Sequence, residues 1–321
     1  MMNKVVFFNG NDQRVADIFG EMVPEGFEAV VASSEWSDAD KIELLADVEY
    51  VVLHPGVVSG EVLRKSQSLK LIQSLTAGYD KIDIVTAKKL NIPVATNGGA
   101  NSWAVAEHSV ALLLALYKRL IYCDLSTRCG EWRKAINGFD TFEVAGKTVG
   151  IIGAGNIGCK VARILKGFEA KIIYSSPKRS VEIETELEAR LVTLDELVST
   201  ADIISMHAPL LNSTWGMIGK REISLMKPTT VIINTCRAEL ADETALFDAL
   251  QNKKIAGAGL DVFYKEPAPK EDPFLKLDNV VVSPHTAGHT AEGWYRRIGF
   301  AWKNIQRVAN GQAPLAVVEK V

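Results

Sequence analysis

Three polar residues follow successive apolar segments in the second half of the sequence. Arg237 follows "VIINTC", Glu266 lies at the end of "GAGLDVFYKE", and His285 follows "NVVVSP". An arginine can bind a carboxylate through two parallel hydrogen bonds, a histidine can exchange a proton with an alcohol oxygen, and a glutamate can orient that histidine and favour its protonated form. Together they suit carbonyl chemistry on a small carboxylic acid. Singly, each also fits an ordinary role, as a surface ion pair, a solvated turn residue and a loop histidine.

A glycine motif indicates a nucleotide-binding site. In "KTVGIIGAGNIG", Gly153, Gly155 and Gly158 have GxGxxG spacing, follow an apolar strand-like segment and open the helical pattern "NIGCKVARILKGF". The first glycine permits a tight turn, the second lets the backbone approach a pyrophosphate, and the third lets helix and strand pack closely. The context predicts a dinucleotide site. The alternative is a glycine-rich turn in a sheet protein that binds no ligand.

The residues after the next strand-like segment, "AKIIYS", indicate which dinucleotide is favoured. An acid at this position would bind the ribose hydroxyls of NAD, but the sequence has Ser175 and Ser176 followed by Lys178 and Arg179. The serines can donate hydrogen bonds to the 2′-phosphate of NADP, and the two bases can neutralise it. NADP is therefore favoured over NAD. The alternative is that Lys178 and Arg179 form a solvated turn and that NAD is tolerated.

Two series of short apolar segments alternate with helical patterns and must position these residues. The first series is "KVVFF", "FEAVVA", "YVVLH", "KLIQSL" and "IPVAT", and the second is "KTVGIIG", "AKIIYS", "DIISMH", "TVIINT", "IAGAGL" and "NVVVSPH". This rhythm predicts parallel sheets covered by helices on both faces. Ligands bind outside the carboxyl ends of such strands, so Arg237, Glu266 and His285 can converge there.

Helical patterns mark the predicted domain boundaries. A long helix over 101–121, capped by Asn101 or Ser102, opens the second series, and an amphipathic helix over 289–311 returns to the first domain. The chain carries a net charge of −3 with no run of like charges, which argues against nucleic-acid or anionic-membrane partners. Its longest apolar helical stretch is too short to span a bilayer. The four cysteines lack metal-ligand spacing, so we expect reduced thiols in a cytoplasmic protein and no bound metal.

Six segments distributed along the whole chain resemble the D-isomer-specific 2-hydroxyacid dehydrogenase family, in its glyoxylate and hydroxypyruvate reductase-like branch. They are "LTAGYDKID", "NSWAVAEHSVALLLAL", "GKTVGIIGAGNIG", "INTCRAELADETAL", "GAGLDVFYKEP" and "SPHTAG". The resemblance implies an α/β fold with two doubly wound parallel-sheet domains, in which a Rossmann-type dinucleotide-binding domain (101–287) is inserted in a flavodoxin-like substrate-binding domain (1–100 and 288–321). It also implies reduction of a small 2-keto acid to the D-2-hydroxy acid, with catalysis by Arg237, Glu266 and His285.

The same resemblance implies further sites. The backbone amides of Ala77 and Gly78 would bind the substrate carboxylate together with Arg237, and Asp261 would hold the nicotinamide carboxamide. The helix at 101–121 and the arm at 122–142 would form a homodimer. The expected cofactor-binding residues are Gly153, Gly155, Asn156, Ile157, Gly158, Ser175, Ser176, Lys178, Arg179, His207, Pro209, Thr214, Thr235, Cys236, Asp261, His285, Ala287 and Gly288.

The sequence departs from the family at several positions. Ala238 replaces the glycine that usually follows the arginine, which leaves Arg237 itself in place. The phosphoglycerate-specific branch has an arginine near the position that His54 occupies in this sequence. The phosphite-oxidising branch has a lysine at the position of Ala77. Glu266 replaces the glutamine of formate dehydrogenases. These differences disfavour those three substrates. His54 could instead line the substrate mouth, but a histidine before Pro55 in a loop is more often structural, and we interpret it so. A non-catalytic, nucleotide-sensing protein of the corepressor type is the alternative function.

Overall fold

The computed structural model describes residues 2–10, 12–132 and 138–318, and the chain divides into two compact units. One unit comprises Met1–Asn101 with His289–Val321, and the other comprises Ser102–Gly288. Each unit has its own parallel sheet and its own apolar core. Part of the arm predicted at 122–142 lies outside the described residues.

The N-terminal part of the first unit alternates strands with helices and is completed by the C-terminal helix. Its elements are β1 (Asn3–Asn9), α1 (Gln13–Glu21), β2 (Phe27–Ser33), α2 (Asp38–Leu44), β3 (Tyr50–His54), α3 (Gly60–Lys65), β4 (Leu71–Ser74), α4 (Ile84–Lys89) and β5 (Val94–Ala95), and the C-terminal helix spans Ala291–Ala309. The strand order is β2-β1-β3-β4-β5 with all pairs parallel. This is the flavodoxin-like order that the family resemblance implies.

Helices cover both faces of this sheet because its strands are apolar on both sides. In β1, Val5 and Phe7 pack on the face covered by α1 and the C-terminal helix, whereas Val6 and Phe8 pack on the opposite face. Successive side chains of a strand alternate between faces, so a continuous apolar segment such as "VVFF" has buried side chains on both faces of the sheet. The return of the C-terminal helix to this unit is thereby explained, since it closes one of the two cores.

The second unit contains the remaining elements. They are α5 (Ser102–Tyr117), α6 (Leu120–Arg128), β6 (Thr148–Ile152), α7 (Asn156–Lys166), β7 (Lys171–Ser175), α8 (Val181–Leu187), β8 (Arg190–Leu191), α9 (Leu194–Thr200), β9 (Ile203–Met206), α10 (Lys220–Leu225), β10 (Val231–Asn234), α11 (Glu243–Gln251), β11 (Gly257–Leu260) and β12 (Val280–Val282). With the C-terminal helix named α12, this completes the described α-helices and strands. The sheet order is β12-β11-β10-β9-β6-β7-β8, again parallel throughout.

The connections of this sheet reverse direction between β6 and β9. The chain runs outward from β6 through β7 to β8, then crosses to β9 and runs outward in the other direction. Such a switch point opens a crevice at the carboxyl ends of the two central strands. The glycine motif begins at Gly153, directly after β6, and His207 follows β9, so both predicted cofactor segments start at this point.

The structure differs from two sequence expectations about elements. The single helix predicted over 101–121 is wrong, because α5 ends at Tyr117 and α6 begins at Leu120. Arg119 between them has a φ of +48°, a left-handed conformation that ends the first helix, and its guanidinium stacks on Tyr122 at 4.8 Å from the ring centroid. No glycine or proline in the surrounding sequence indicates this break. The two-residue edge strand β8 was not predicted either.

Among the described helices, none has the length and apolar character that crossing a bilayer requires.

Candidate active site

The three residues proposed for catalysis follow neighbouring strands of the second unit. Arg237 lies just beyond β10, Glu266 in the loop after β11, and His285 just beyond β12. These strands are adjacent and parallel, so the three residues follow the same edge of the sheet. The sequence prediction that they lie on neighbouring strand ends is therefore consistent with the topology.

His285 and Glu266 are in direct contact. Nδ1 of His285 lies 2.8 Å from Oε2 and 3.0 Å from Oε1 of the Glu266 carboxylate. The carboxylate is itself held by the backbone N–H of Phe263, which donates to Oε1 at 3.2 Å. With Nδ1 engaged, Nε2 is the ring nitrogen that remains for a substrate oxygen. Both side chains are partly exposed, 44% for His285 and 32% for Glu266, so a ligand can reach the imidazole.

Asp261 fixes the turn that carries His285. Its carboxylate is fully buried and accepts hydrogen bonds from Ser283 Oγ at 2.6 Å and from the backbone N–H groups of Thr286 and Ala287, each at 2.9 Å. His285 has a φ of +54°, which is uncommon for a residue with a side chain. The surrounding hydrogen bonds hold this conformation, so Asp261 positions the imidazole through the backbone.

A second histidine extends this network. His108 of α5 lies with Nε2 2.8 Å from Ser283 Oγ and 3.7 Å from the Asp261 carboxylate. Since the Ser283 hydroxyl donates to Asp261, it can accept the Nε2 hydrogen of His108. Sequence reasoning identified Asp261 but missed His108 and Ser283, which lie 175 positions apart in the chain. The motifs "AEHS" and "SPH" contain both, but nothing in their spacing indicates that they meet.

Arg237 is presented by a turn that Asn234 shapes. The buried Asn234 side chain donates to the carbonyl of Arg237 at 2.8 Å and accepts from the N–H of Cys236 at 3.1 Å. The guanidinium, half-buried, donates through Nη1 to the carbonyl of Cys236 at 2.7 Å. Ala238 begins a short 3₁₀ turn without a positive φ, so alanine fits there and glycine is not needed. Asn234 was not found from the sequence.

The glycine motif has the geometry of a phosphate-binding turn. Gly153 has a φ of +94°, and a Cβ there would lie 2.7 Å from the carbonyl oxygen of His207. A Cβ on Gly158 would lie 2.1 Å from the carbonyl oxygen of Gly153, so only glycine lets α7 approach β6 this closely. Gly155 is different, since a Cβ on it would meet no atom within 4 Å. The protein's own packing does not require that glycine, whereas close approach of a ligand does.

The N-terminus of α7, which follows the glycine motif, has N–H groups that can bind an anion. Gly155 is the N-cap of α7 and supplies no side-chain cap. The first N–H groups of a helix have no intrahelical acceptor and carry the positive end of the helix dipole. Asn156, Ile157 and Gly158 form this first turn, so their predicted role at the pyrophosphate fits the residues present.

The two serines and two bases after β7 lie where the sequence predicts. Ser175 ends the strand and is half-buried like Ser176, whereas Lys178 and Arg179 are exposed. Arg179 has an acidic partner that the sequence analysis missed, because its Nε donates to Oε2 of Glu184 at 2.6 Å. This hydrogen bond raises the pKa of Arg179 above its ordinary value, so the guanidinium stays charged.

The predicted cofactor residues after β9 form a compact loop. The ring of His207 contacts Ser205 Oγ through Nε2 at 2.8 Å, and burial lowers the pKa of His207 to about 3, so the imidazole is neutral at pH 7. Thr214 donates to the carbonyl of Pro209 at 2.7 Å and accepts from the N–H of Leu211 at 2.8 Å. These bonds fix the loop's shape at the switch point.

The predicted residues after β10 are likewise engaged in the unit's own structure. The hydroxyl groups of Thr235 and Ser109 lie 2.9 Å apart. The Cys236 thiol donates to the carbonyl of Met206 at 2.8 Å, and burial raises the pKa of this thiol to about 12. Cys236 is therefore a neutral thiol, which makes it a packing residue of the cofactor crevice and not a nucleophile.

In the first unit, the loop after β4 carries Ala77 and Gly78. Thr76 shapes this loop by donating from its hydroxyl to the carbonyl of Gly78 at 2.7 Å, while its N–H donates to Ser74 Oγ at 3.1 Å. Within the described residues, the N–H groups of Ala77 and Gly78 donate to no protein acceptor. Two successive unengaged amides suit an anionic ligand.

His54 ends β3 in the same unit and is almost fully buried. Its ring packs edge-on against Trp294 at a centroid distance of 4.6 Å and lies 5.9 Å from the ring of His289. The aromatic packing supports the interpretation of His54 as a structural residue.

Comparisons with known proteins identify the family of the chain. Residues 110–287 match the family model described as D-isomer specific 2-hydroxyacid dehydrogenase, NAD binding domain. The chain is 40% identical over 285 residues to a glyoxylate reductase of Thermococcus litoralis, covering 87% of this chain and 86% of the relative. It is 35% identical over 306 residues to a glyoxylate reductase of Korarchaeum cryptofilum, covering 93% and 91%.

Solved structures show the same likeness over the whole chain. A structure of an acyclic imino acid reductase in complex with NADPH and D-Arg superposes with a TM-score of 0.87 at 30% identity, covering 98% of this chain and 99% of that chain. The apo structure of D-lactate dehydrogenase from Escherichia coli gives a TM-score of 0.83 at 28% identity, with 98% and 99% coverage. The predicted family and fold class are confirmed: the chain belongs to the D-isomer specific 2-hydroxyacid dehydrogenases, a family of NAD(P)-dependent oxidoreductases.

Proposed function

We propose that the protein reduces a small 2-keto acid, of the glyoxylate or hydroxypyruvate kind, to the D-2-hydroxy acid, with NADPH favoured over NADH. The observation that carries this proposal is the contact between His285 Nδ1 and the Glu266 carboxylate. It lies beyond the carboxyl ends of β11 and β12, in the same sheet as the strand that leads into the glycine motif. This pair has the arrangement of a proton donor with its orienting acid, which suits the reduction of a carbonyl. The relatives named glyoxylate reductase support the substrate class.

The residues of the chain divide the work of reduction among themselves. When bound, the nicotinamide cofactor supplies the hydride that is added to the keto carbon. His285 Nε2 then delivers a proton to the developing alkoxide oxygen, and Glu266 stabilises the protonated ring through Nδ1. Arg237 binds the carboxylate and polarises the carbonyl. The N–H groups of Ala77 and Gly78 provide further donors for the carboxylate.

The cofactor is held mainly by backbone groups. The turn from Gly153 to Gly158 and the first N–H groups of α7 bind the pyrophosphate, supported by the space above Gly155. Asp261 has one acceptor direction left beside the three hydrogen bonds it accepts, which suffices for the nicotinamide carboxamide amine. The other proposed contacts come from the loops after β7, β9, β10 and β12, through Ser175, Ser176, Lys178, Arg179, His207, Pro209, Thr214, Thr235, Cys236, His285, Ala287 and Gly288.

The preference for NADPH is supported by the residues after β7. Ser175 replaces the acid that would repel a 2′-phosphate, and Lys178 with Arg179 leaves one positive charge in excess after Glu184 is counted. Comparing kcat/KM for NADPH and NADH tests this preference. Ser175→Asp should lower the ratio of the two efficiencies by roughly tenfold or more, since it replaces a donor with a repelling charge. Equal efficiencies in the parent would reject the preference.

We further propose a homodimer formed through α5 and α6. These helices expose large apolar side chains, with Leu120, Ile121 and Leu125 between 54% and 58% accessible and Trp103 at 45%. An apolar patch of this kind is typical of an interface. The four cysteines are free thiols, in keeping with the proposed cytoplasmic location.

Turnover decides between the enzyme and the alternative of a nucleotide-sensing protein. Loss of NADPH and NADH absorbance should be followed with a panel of 2-keto acids, including glyoxylate, hydroxypyruvate and pyruvate. We expect turnover that His285→Asn lowers by about a hundredfold or more, with nucleotide affinity nearly unchanged. Nucleotide binding without turnover on any acid would favour the alternative.

A further inference from the structure

Glu184 lies at the centre of a hydrogen-bonded network beside the proposed 2′-phosphate site. One carboxylate oxygen accepts the Tyr174 hydroxyl at 2.5 Å, and the other accepts Arg179 Nε at 2.6 Å. The Tyr174 hydroxyl also accepts the N–H of Ser180 at 2.9 Å. The network thus joins the buried end of β7, the loop that carries the bases, and the first turn of α8.

The members of this network differ in burial. Tyr174 is fully buried, the Glu184 side chain is 15% exposed, and the Arg179 side chain is 72% exposed. The hydrogen bond from Tyr174, followed by that from Arg179, lowers the pKa of Glu184, so it is a carboxylate at neutral pH. Glu184 is hydrogen-bonded to the buried Tyr174 and therefore holds Nε of Arg179 in place. Most of the Arg179 side chain is in solvent.

The way in which Arg179 is held leaves its terminal nitrogens for another anion. A guanidinium has five N–H donors in a fixed planar fork, and within the described residues Arg179 uses Nε alone. A carboxylate at Nε does not block Nη1 and Nη2, and it removes much of the rotational freedom that an exposed arginine would lose on binding. Lys178 next to it is exposed and supplies a second positive charge.

We infer that Glu184 is a positioning residue for NADP, which orients Arg179 so that its terminal nitrogens bind the 2′-phosphate of the cofactor. This inference rests on the proposed preference for NADPH. An acid near a phosphate would ordinarily repel it, but we expect no such repulsion from Glu184. The reason is geometric, because the carboxylate is occupied on both oxygens and is separated from the phosphate by the guanidinium that it holds.

A role in stability alone does not explain the network. An ion pair with an arginine that is 72% exposed contributes little to folding. The neighbouring acids of α8, Glu182 and Glu186, both pair with Arg163 on the adjacent helix α7. Glu184 is the acid of this helix that turns to the basic loop, and it is also the one anchored by a buried tyrosine.

The test compares two probes that differ only in the 2′-phosphate, 2′,5′-ADP and AMP, by calorimetry on the full-length protein. We expect the parent to bind 2′,5′-ADP more tightly than AMP and Glu184→Ala to weaken 2′,5′-ADP binding by about tenfold, with AMP affinity unchanged. Glu186→Ala is the matched control, because it removes the same charge from the same helix without touching Arg179. Thermal unfolding of each variant confirms that the side chains are removed from a folded protein.

Arg179→Lys separates charge from orientation. Lysine keeps the positive charge but cannot bridge Glu184 and a phosphate through a planar fork, so we expect loss of most of the discrimination between the probes. A Glu184→Ala variant that binds 2′,5′-ADP as the parent does, or more tightly, would overturn the inference while leaving the NADPH preference intact. A parent that binds both probes equally would reject the NADPH preference and the inference with it.

Discussion

Asparagine has the same size as aspartate, but replacing Asp261 with asparagine should loosen the turn that carries His285. The aspartate accepts three hydrogen bonds, from Ser283 Oγ and from the N–H groups of Thr286 and Ala287. An asparagine can keep the two bonds to one oxygen, but its amide nitrogen is a donor and then faces the N–H of Ala287. The variant therefore loses one bond to a charged acceptor and leaves a buried N–H unsatisfied.

The magnitude follows from these losses. A hydrogen bond to a charged group contributes about 1.5–3 kcal/mol, and an unsatisfied buried donor costs about 1–3 kcal/mol, so we expect the unfolding free energy of the nucleotide unit to fall by roughly 2.5–6 kcal/mol. The left-handed conformation of His285, with a φ of +54°, costs roughly 1–2 kcal/mol. The lost anchorage exceeds that cost, so the turn relaxes and the imidazole moves away from its position.

The assay is kcat for 2-keto acid reduction together with urea unfolding. A displaced proton donor lowers kcat by up to about a hundredfold, the usual effect of a misplacement of about 1 Å. Asp278→Asn is the control, because Asp278 is 75% exposed and its nearest cation, Lys253, is 4.0 Å away. Ser283→Ala removes one of the three bonds and should give a smaller loss of both quantities. The KM for the cofactor reports separately on the proposed carboxamide contact. An Asp261→Asn variant with the kcat of the parent would refute the positioning role.

Three further predictions follow from the charges and surfaces of the same unit. Glu266→Gln should lower kcat for 2-keto acid reduction, because the carboxylate 2.8 Å from Nδ1 orients the imidazole; a variant with the kcat of the parent would contradict the pairing. Since burial lowers the pKa of His207 from 6.5 to about 3, the unfolded chain takes up a proton below pH 6.5 that the folded chain does not; stability from this group is therefore present above pH 6.5 and is lost as the pH falls toward 3. His207→Gln should reduce this acid-side loss, by at most ~1.4 kcal/mol per pH unit in urea unfolding, and identical slopes in the two proteins would exclude it. Leu125→Glu should convert the proposed dimer to monomers in light scattering, because it places charges on an apolar face that is 58% exposed in the single chain, whereas a parent that is already monomeric would reject the interface.

Much of the fold could be predicted because the strands are continuous apolar segments. Both faces of each sheet are covered, so segments such as "KVVFF" and "TVIINT" are conspicuous in the sequence, and each coincides with a strand. β8 escaped prediction because it has two exposed residues at a sheet edge and pairs with β7 alone. The break between α5 and α6 escaped because an arginine, not a glycine, adopts the left-handed conformation there.

The residues proposed to bind ligands were easier to find from the sequence than the residues that position them. Arg237, Glu266 and His285 have types that suit chemistry and positions that follow strands, so both signals coincide. Asn234 and Ser283 also follow strands, but asparagine and serine are common in turns for purely local reasons. Their importance lies in contacts such as that between Ser283 and His108, which depend on how β12 and α5 pack. A single sequence contains no signal for such a pair.

Asp261 and Glu266 show how burial separates two acids that the sequence presents together in "GAGLDVFYKEP". Asp261 directly follows β11, and its short side chain reaches the backbone of the neighbouring turn, where it is fully buried. Glu266 lies five residues later in a loop and is 32% exposed beside an imidazole. The first acid has three fixed donors and no proton to exchange with substrate, so its removal should change stability and kcat together. The second contacts the ring of the proposed proton donor, so its removal should lower kcat for 2-keto acid reduction. Both acids therefore position the same histidine, one through the backbone of its turn and the other through direct contact with its ring.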